Sequence, residues 1–184
     1  MVTTPKVLTY EEWLEMPEVQ DGIEDVANGE VRIRPPNKAI HGDVAESLYD
    51  ILKPQLDPKT TRVRISSFGL VIRRDPLTTR EPDLAVFEKA KMVEIDGYFH
   101  SAPGLLVEVL SPGNTRIERE EKIRDYESLG VPELWVVSPE ARTVEIMQLT
   151  EARKLETIAI ANQGRIRPKL FPQAVVEIAA IWAH

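Results

Sequence analysis

One long segment of the chain carries the periodicity of an amphipathic helix. Over about 15 residues, apolar side chains recur at spacings of four, four and three, at Ile40, Val44, Leu48 and Ile51. Pro35-Pro36-Asn37 introduces this segment and Pro54 ends it, because proline does not continue a helix. His41 falls in register with Ala45, Leu48 and Leu52, so we expect it to face the protein interior.

A second helix follows from a capping signal. Thr115 and Glu118 have capping-box spacing and predict a helix that runs to Leu129 and stops at Gly130. At 100° per residue, Lys122 lies within about 40° of the mean direction of the apolar stripe formed by Ile123, Tyr126 and Leu129. The lysine is therefore predicted to point inward, with Glu118 near the same stripe.

Short apolar runs bounded by Gly, Pro and Asn predict strands elsewhere. The predicted strands are 23–26 and 30–34, joined as a hairpin by Asn28-Gly29, then 61–74 as two strands or one bent strand, the run headed by Asp83, 105–110, 133–137, 143–149 and 155–160. The other predictions are a short helix capped by Thr9 and Glu12, a loop at 75–80, a short helix and loop at 89–98, and a short strand and helix from Phe171. This order predicts a mixed α/β (α+β) fold, a central mixed sheet flanked by helices with an N-terminal helix and hairpin.

Composition narrows the chemistry. With 184 residues and 42% hydrophobic content, we expect one domain over residues 1–184. The absence of cysteine excludes disulfides and thiolate ligands, so any metal must be held by oxygen or histidine. There is no export-type N-terminal segment, and Glu177 interrupts the apolar stretch 174–183, so we expect a soluble, cytoplasmic protein without a membrane partner.

Charge is distributed unevenly along the chain. The formal net charge is −7, yet residues 31–80 carry ten Lys and Arg against five Asp and Glu. Two interpretations stay open, a basic face toward phosphates or a solvated surface of mixed charge. The basic residues concerned include Arg32, Arg34, Lys38, Arg62, Arg64, Arg73, Arg74 and Arg80.

The most informative polar residue is Glu108, which stands inside the apolar run Leu105–Leu110. Such a run suits a strand buried on both faces, where an uncompensated carboxylate costs several kcal/mol. Asp83 heads another short apolar run. Two acids at the same end of neighbouring strands predict a site for a divalent cation, and a structural ion pair with Lys or Arg is the alternative.

Several motifs together resemble the Uma-type group of restriction-endonuclease-like proteins, within the PD-(D/E)XK nuclease superfamily. Their order and spacing carry the resemblance, which spans most of the chain. The motifs are Leu8-Thr9-Tyr10-Glu11-Glu12-Trp13-Leu14, Asn28-Gly29-Glu30-Val31, His41, Pro82-Asp83-Leu84-Ala85-Val86, Leu106-Val107-Glu108-Val109-Leu110-Ser111-Pro112, Lys122 with Tyr126, and Gly130-Val131-Pro132-Glu133-Leu134-Trp135-Val136-Val137.

The resemblance implies a restriction-endonuclease-like core that cleaves DNA with Mg²⁺, or with Mn²⁺ in its place. Asp83 matches the metal-binding acid of the Pro-Asp motif and Glu108 the second acid. Leu110 occupies the position of the motif's lysine, so the cationic role moves to Lys122. The family pattern also has an acid before the Asn-Gly turn. Asp25 and Glu24 are the two candidates here, and alignment with the family pattern favours Asp25. His41 is either a site residue or a hydrogen-bonded core histidine.

Three positions depart from the family pattern. Ser138 stands where an acid often precedes Pro139, Glu118 stands for an expected Asp, and Asp25 is one methylene shorter than the usual Glu. The leading hypothesis is a magnesium-dependent endonuclease acting on DNA. The alternative is a catalytically inactive module on the same fold that binds nucleic acid or a protein partner. A homodimer is expected if both strands of a duplex are cut, with the apolar tail 175–182 as a candidate interface.

Overall fold

The computed structural model describes residues 7–17, 22–34, 39–66, 68–111, 113 and 115–183. The helices are α1 (Tyr10–Leu14), α2 (Ala39–Leu52), α3 (Arg116–Leu129) and α4 (Ile178–Ile181), and a 3-10 turn, Lys53–Gln55, follows α2. The strands are β1 (Ile23–Ala27), β2 (Glu30–Arg34), β3 (Thr61–Ile65), β4 (Leu70–Arg74), β5 (Leu77–Arg80), β6 (Leu84–Glu88), β7 (Glu94–Ile95), β8 (Tyr98–Phe99), β9 (Leu105–Val109), β10 (Glu133–Ser138), β11 (Thr143–Leu149), β12 (Leu155–Ala161), β13 (Arg165–Ile166) and β14 (Val176–Glu177).

The central sheet has six strands in the order β12-β11-β10-β9-β6-β3. Within it, β9 and β10 are parallel and the other neighbouring pairs are antiparallel. A parallel pair needs a crossover, and α3 lies between β9 and β10 along the chain. The predicted mixed sheet with an N-terminal helix and hairpin is confirmed.

Each face of the central sheet is covered by its own apolar layer. On one face, α2 and the C-terminal segment pack against Leu84, Val86, Leu105 and Val107. On the other face, α3 and the four-stranded sheet β5-β4-β8-β7 pack against Ala85, Phe87 and Leu106. All residues of β9 are buried, as the uninterrupted apolar run predicts.

The ends of α3 match their sequence signals. Thr115 and Glu118 form a reciprocal capping box, and Gly130 caps the other end in the left-handed conformation with φ 87°. The predicted stripe of α2 needs correction, because Ile40 is 45% exposed. The buried face of α2 is instead centred on His41, Val44, Ala45, Leu48 and Leu52, and Pro35-Pro36-Asn37 lies outside the described residues.

Two segments that were not predicted as strands contain strands. The segment 75–80 contains β5, in which Leu77 is the one apolar residue, so the sequence shows no strand pattern. Its threonines bond the N-terminal hairpin instead, as Thr79 Oγ1 accepts from Val26 N at 3.0 Å. The segment 89–98 holds β7 and the start of β8, joined by Asp96-Gly97 with positive φ at both residues, where a short helix was predicted. The segment 61–74 is two strands in different sheets.

The C-terminal tail folds into the core of its own chain. Val176, Ile178 and Ile181 are fully buried beside α2. These side chains are therefore not available to a second protomer. For these three residues, the prediction of a dimer interface is wrong. None of the helices in the described ranges is both long and apolar enough to cross a bilayer.

Replacing two glycines by alanine should change the free energy of unfolding in opposite directions. Gly130 has a φ that alanine adopts only with strain, so Gly130→Ala should lower the free energy of unfolding by about 1–2 kcal/mol. Gly42 lies inside α2 with open space around its Cα, so Gly42→Ala should raise it by about 0.5–1 kcal/mol. Urea unfolding of both variants checks the pair, and an equal sign for the two changes would contradict this description of α2 and α3.

Candidate active site at the ends of β6 and β9

The register between two strands brings two acids together. Leu84 of β6 pairs with Val107 of β9 in antiparallel register. Asp83 immediately precedes Leu84 and Glu108 immediately follows Val107, so the two acids lie at the same end of these neighbouring strands. Both acids are buried, with 8% of Asp83 and 7% of Glu108 exposed.

Glu108 is compensated by two donors from α3. Lys122 Nζ donates to Glu108 Oε2 at 2.6 Å, and the Tyr126 hydroxyl donates to Oε1. The inward orientation that helical periodicity predicts for Lys122 is confirmed by this contact. The pair borders a pocket beneath α3 whose lining includes Leu110 and Arg119, and 18% of the Lys122 side chain is exposed.

The surroundings of Tyr126 keep its phenol protonated. Burial raises the pKa of Tyr126 well above its ordinary value, and the negative charge of Glu108 and its hydrogen bond raise it further. Asp25 acts in the same direction, while Arg80 lowers the pKa. Tyr126 therefore serves as a hydrogen-bond donor to Glu108 throughout the neutral pH range.

Asp83 is held from both the strand and the helix α2. Its Oδ2 accepts from Val109 N at 2.7 Å, which ties the carboxylate to the end of β9. Its Oδ1 lies 3.3 Å from Nδ1 of the buried His41. The acid that precedes β6 is thus fixed in orientation at the point where α2 meets the sheet.

Behind Glu108 lies a buried ion-pair bridge, a feature that the sequence analysis missed. Arg80 Nη2 and Nε donate to Asp125 Oδ2 at 2.6 and 2.9 Å, and Arg80 Nη1 lies 3.4 Å from Asp25 Oδ2. Burial disfavours the charge on the guanidinium, but the two carboxylates outweigh this effect and raise the pKa of Arg80. One signal was available, because Asp125 stands three residues after the inward-facing Lys122. For Arg80, which lies in a polar strand, no periodicity indicated burial.

The structure separates the two alternatives for the acid before the Asn-Gly turn. Asp25 is 2% exposed, its Oδ1 accepts from Glu81 N at 3.2 Å, and it faces Arg80. Glu24 accepts from Trp13 Nε1 at 2.7 Å, so it belongs to the N-terminal helix contact. Asp25 is therefore the one of the two beside the Tyr126–Glu108 pair. Glu118 caps α3 through Thr115.

Three described basic residues of the stretch 31–80 are paired with acidic side chains. Arg80 is buried, contrary to the interpretation that counted it as a surface charge. Arg32 pairs with Glu121 at 2.7 Å and Arg62 pairs with Glu94 at 2.9 Å. The side chains of Arg34 and Lys38 lie outside the described part of the chain. At Arg32 and Arg62 these contacts fit the interpretation of a surface of mixed charge.

The donor set fits a hard divalent cation in the presence of substrate. Within the described ranges, no three or more His, Asp or Glu side chains converge as a ready-made metal cage. Mg²⁺ at phosphoryl-transfer sites is usually held by one or two carboxylates together with waters and substrate phosphate oxygens. The carboxylates of Asp83 and Glu108, at the same end of neighbouring strands, match that smaller requirement in number and kind.

The comparisons with known proteins agree with this architecture. The family model described as "Uma2: Putative restriction endonuclease" matches residues 10–180, so the chain belongs to the Uma2 family. The predicted family is confirmed.

A solved structure has the same fold. It is the crystal structure of a protein from Anabaena variabilis ATCC 29413, described as "a putative nuclease belonging to DUF820", with a TM-score of 0.77 and 17% sequence identity. The match covers 96% of this chain and 98% of the other, which confirms the predicted fold class. Among curated proteins, none matches this chain.

The contact between Tyr126 and Glu108 predicts a pH effect on stability. Because the phenol has a raised pKa in the folded state, an unfolded chain loses that proton first as the pH rises above about 10. The stability from Tyr126 is therefore present below about pH 10 and lost above it, by up to about 1.4 kcal/mol per pH unit. Tyr126→Phe should show a shallower alkaline decline in unfolding free energy than the parent. Identical slopes would contradict the buried hydrogen bond.

Proposed function

We propose that this protein is a divalent-metal-dependent endonuclease that hydrolyses phosphodiester bonds in DNA. The observation that carries the proposal is the contact of the Asp83 carboxylate with Val109 N, the residue after Glu108, at 2.7 Å, with the Lys122 ammonium 2.6 Å from the Glu108 carboxylate. Membership of the Uma2 family supports the class of reaction. Mg²⁺ is the expected ion, and Mn²⁺ should replace it.

In this proposal, Asp83 and Glu108 are the two protein ligands. Their carboxylates supply hard oxygen atoms from two different strands, and both are oriented by hydrogen bonds from the protein. When bound, the cation offsets charge on the phosphate and acidifies the attacking water. His41 orients Asp83 through its Nδ1 contact and is a positioning residue.

Lys122 is the residue that we assign to the reacting phosphate. Its ammonium borders the pocket beneath α3 and is partly exposed, so it is able to donate to a non-bridging phosphate oxygen or to the attacking water. A cation at that place stabilises the negative charge that grows in the transition state. The helix thus supplies the charge that Leu110, two residues after Glu108, does not carry.

We further propose that the whole chain, residues 1–184, acts as one domain. Cutting both strands of a duplex requires two such sites, so we expect a homodimer on duplex DNA. A protein that only nicks one strand has no such requirement.

Neutral, nearly isosteric replacements test the proposed ligands. Asp83→Asn and Glu108→Gln should each lower the rate of Mg²⁺-dependent plasmid nicking by about 100-fold or more, because each removes a negatively charged ligand oxygen. Glu133→Gln is a matched control. Glu133 is also a buried carboxylate of the central sheet, bonded to Trp135 Nε1 and Lys169 N, and has no contact with the site. The measurement is the nicking rate with and without chelator, with circular dichroism to check folding.

The outcome that would refute the assignment is a folded double variant, Asp83→Asn with Glu108→Gln, that nicks DNA as fast as the parent. Loss of activity in Glu133→Gln at the same level would also count against it. A loss of activity in Glu133→Gln would mean that nicking depends on the sheet in general and not on the two proposed ligands.

A second candidate function is an inactive module that binds DNA or a protein partner. The observation in its favour is that all four oxygens of Asp83 and Glu108 already have protein contacts. A site compensated in this way is stable without a cation. Fluorescence anisotropy with labelled duplex DNA separates the two functions, because an inactive DNA-binding module would bind duplex DNA without cutting it in Mg²⁺ or Mn²⁺.

A further inference from the structure

Arg80 links two elements that are distant in the sequence. Its guanidinium contacts Asp125 on α3 through two nitrogens, and its third nitrogen faces Asp25 on β1. The side chain is 4% exposed, so solvent does not screen these contacts. Because a guanidinium is a planar fork, it fixes the direction as well as the distance of the carboxylates that it joins.

Asp125 shares one face of α3 with the two residues that contact Glu108. Lys122 lies one helical turn before Asp125, and Tyr126 is the next residue. Both donate to the Glu108 carboxylate. A rotation or slide of α3 that lengthened the Asp125–Arg80 contact would therefore also move the Lys122 ammonium relative to Glu108.

We propose that Arg80 is a positioning residue of the candidate site, which clamps Asp125 to Asp25 and so sets the place of the Lys122 ammonium beside Glu108. The effect on catalysis rests on the proposed function, whereas the effect on the Lys122–Glu108 contact does not. Asp25 is then the second anchor of Arg80 and not a metal ligand.

The clamp needs arginine at this position. A lysine would keep the positive charge but presents a single nitrogen, which cannot donate to Asp125 twice while facing Asp25. Arg80→Lys therefore separates geometry from charge. Asp125→Asn is the milder variant, because it leaves Arg80 paired with Asp25 and keeps a side chain of the same shape.

Glu127→Gln is the matched control for Asp125→Asn. Glu127 is another buried carboxylate of α3, and it accepts from Lys154 Nζ and Leu155 N, both at 2.9 Å. These contacts attach α3 to β12 and do not involve the residues around Glu108. The control thus weakens the attachment of the same helix at a different place.

The experiment uses the full chain at a temperature where circular dichroism shows every variant folded. The first readout is the ¹⁵N signal of the Lys122 ammonium by NMR, assigned by its loss in Lys122→Arg. The second is the division of the nicking kinetics into kcat and KM for plasmid DNA in Mg²⁺.

Arg80→Lys and Asp125→Asn should shift or broaden the Lys122 signal and lower kcat about tenfold or more, with KM for DNA nearly unchanged. Glu127→Gln should leave both readouts at the parent values. An unchanged Lys122 signal in folded Arg80→Lys and Asp125→Asn would overturn the inference, and so would an equal change in the control. If Arg80→Lys does not fold, Asp125→Asn decides.

The two proposals fail in different ways. If the parent protein cuts no DNA, the proposed function fails, and the NMR signal alone decides whether Arg80 positions Lys122. If the parent cuts DNA and the Lys122 signal does not respond to the variants, the nuclease proposal stands and the positioning role is wrong.

Discussion

A carboxylate in the middle of a doubly covered strand is the constraint on which the rest of this site depends. Glu108 lies on β9, where both faces of the sheet are packed, so its charge has to be offset by the protein. The chain meets this requirement with an ammonium and a phenol from the helix that follows the strand. Removing one partner of a buried ion pair typically costs about 3–5 kcal/mol, so α3 is held to β9 by this charge as well as by apolar packing.

Charge compensation is also required around Glu108, where several buried ionisable side chains form a small cluster. Four buried carboxylates, Asp25, Asp83, Glu108 and Asp125, are accompanied by the cations Arg80 and Lys122. In their ionised forms, these six side chains carry two more negative than positive charges. The proposed divalent cation between Asp83 and Glu108 would balance that excess. His41 adds a contact to Asp83 through its Nδ1.

Much of this could be predicted from the sequence because the signals are local. The caps of α3, the Asn-Gly hairpin and the apolar run of β9 each depend on a few neighbouring residues. The inward direction of Lys122 follows from helical geometry alone. What could not be predicted depends on tertiary contacts. β5 consists of Leu77, two threonines and Arg80 and shows no alternating apolar pattern, and Arg80 is buried between Asp25 and Asp125, which come from two other elements. The roles of Asp83, Glu108, Lys122, Asp25 and His41 in catalysis remain predictions.

The central claim is that the acids at the ends of β6 and β9 share one cation. Anomalous diffraction from crystals grown with Mn²⁺ and a short DNA duplex tests it most directly, because the ion is located without reference to activity. We expect an anomalous peak within coordination distance, about 2.0–2.4 Å, of carboxylate oxygens of both Asp83 and Glu108. A well-occupied peak elsewhere, with both carboxylates bound only to their protein partners, would contradict it.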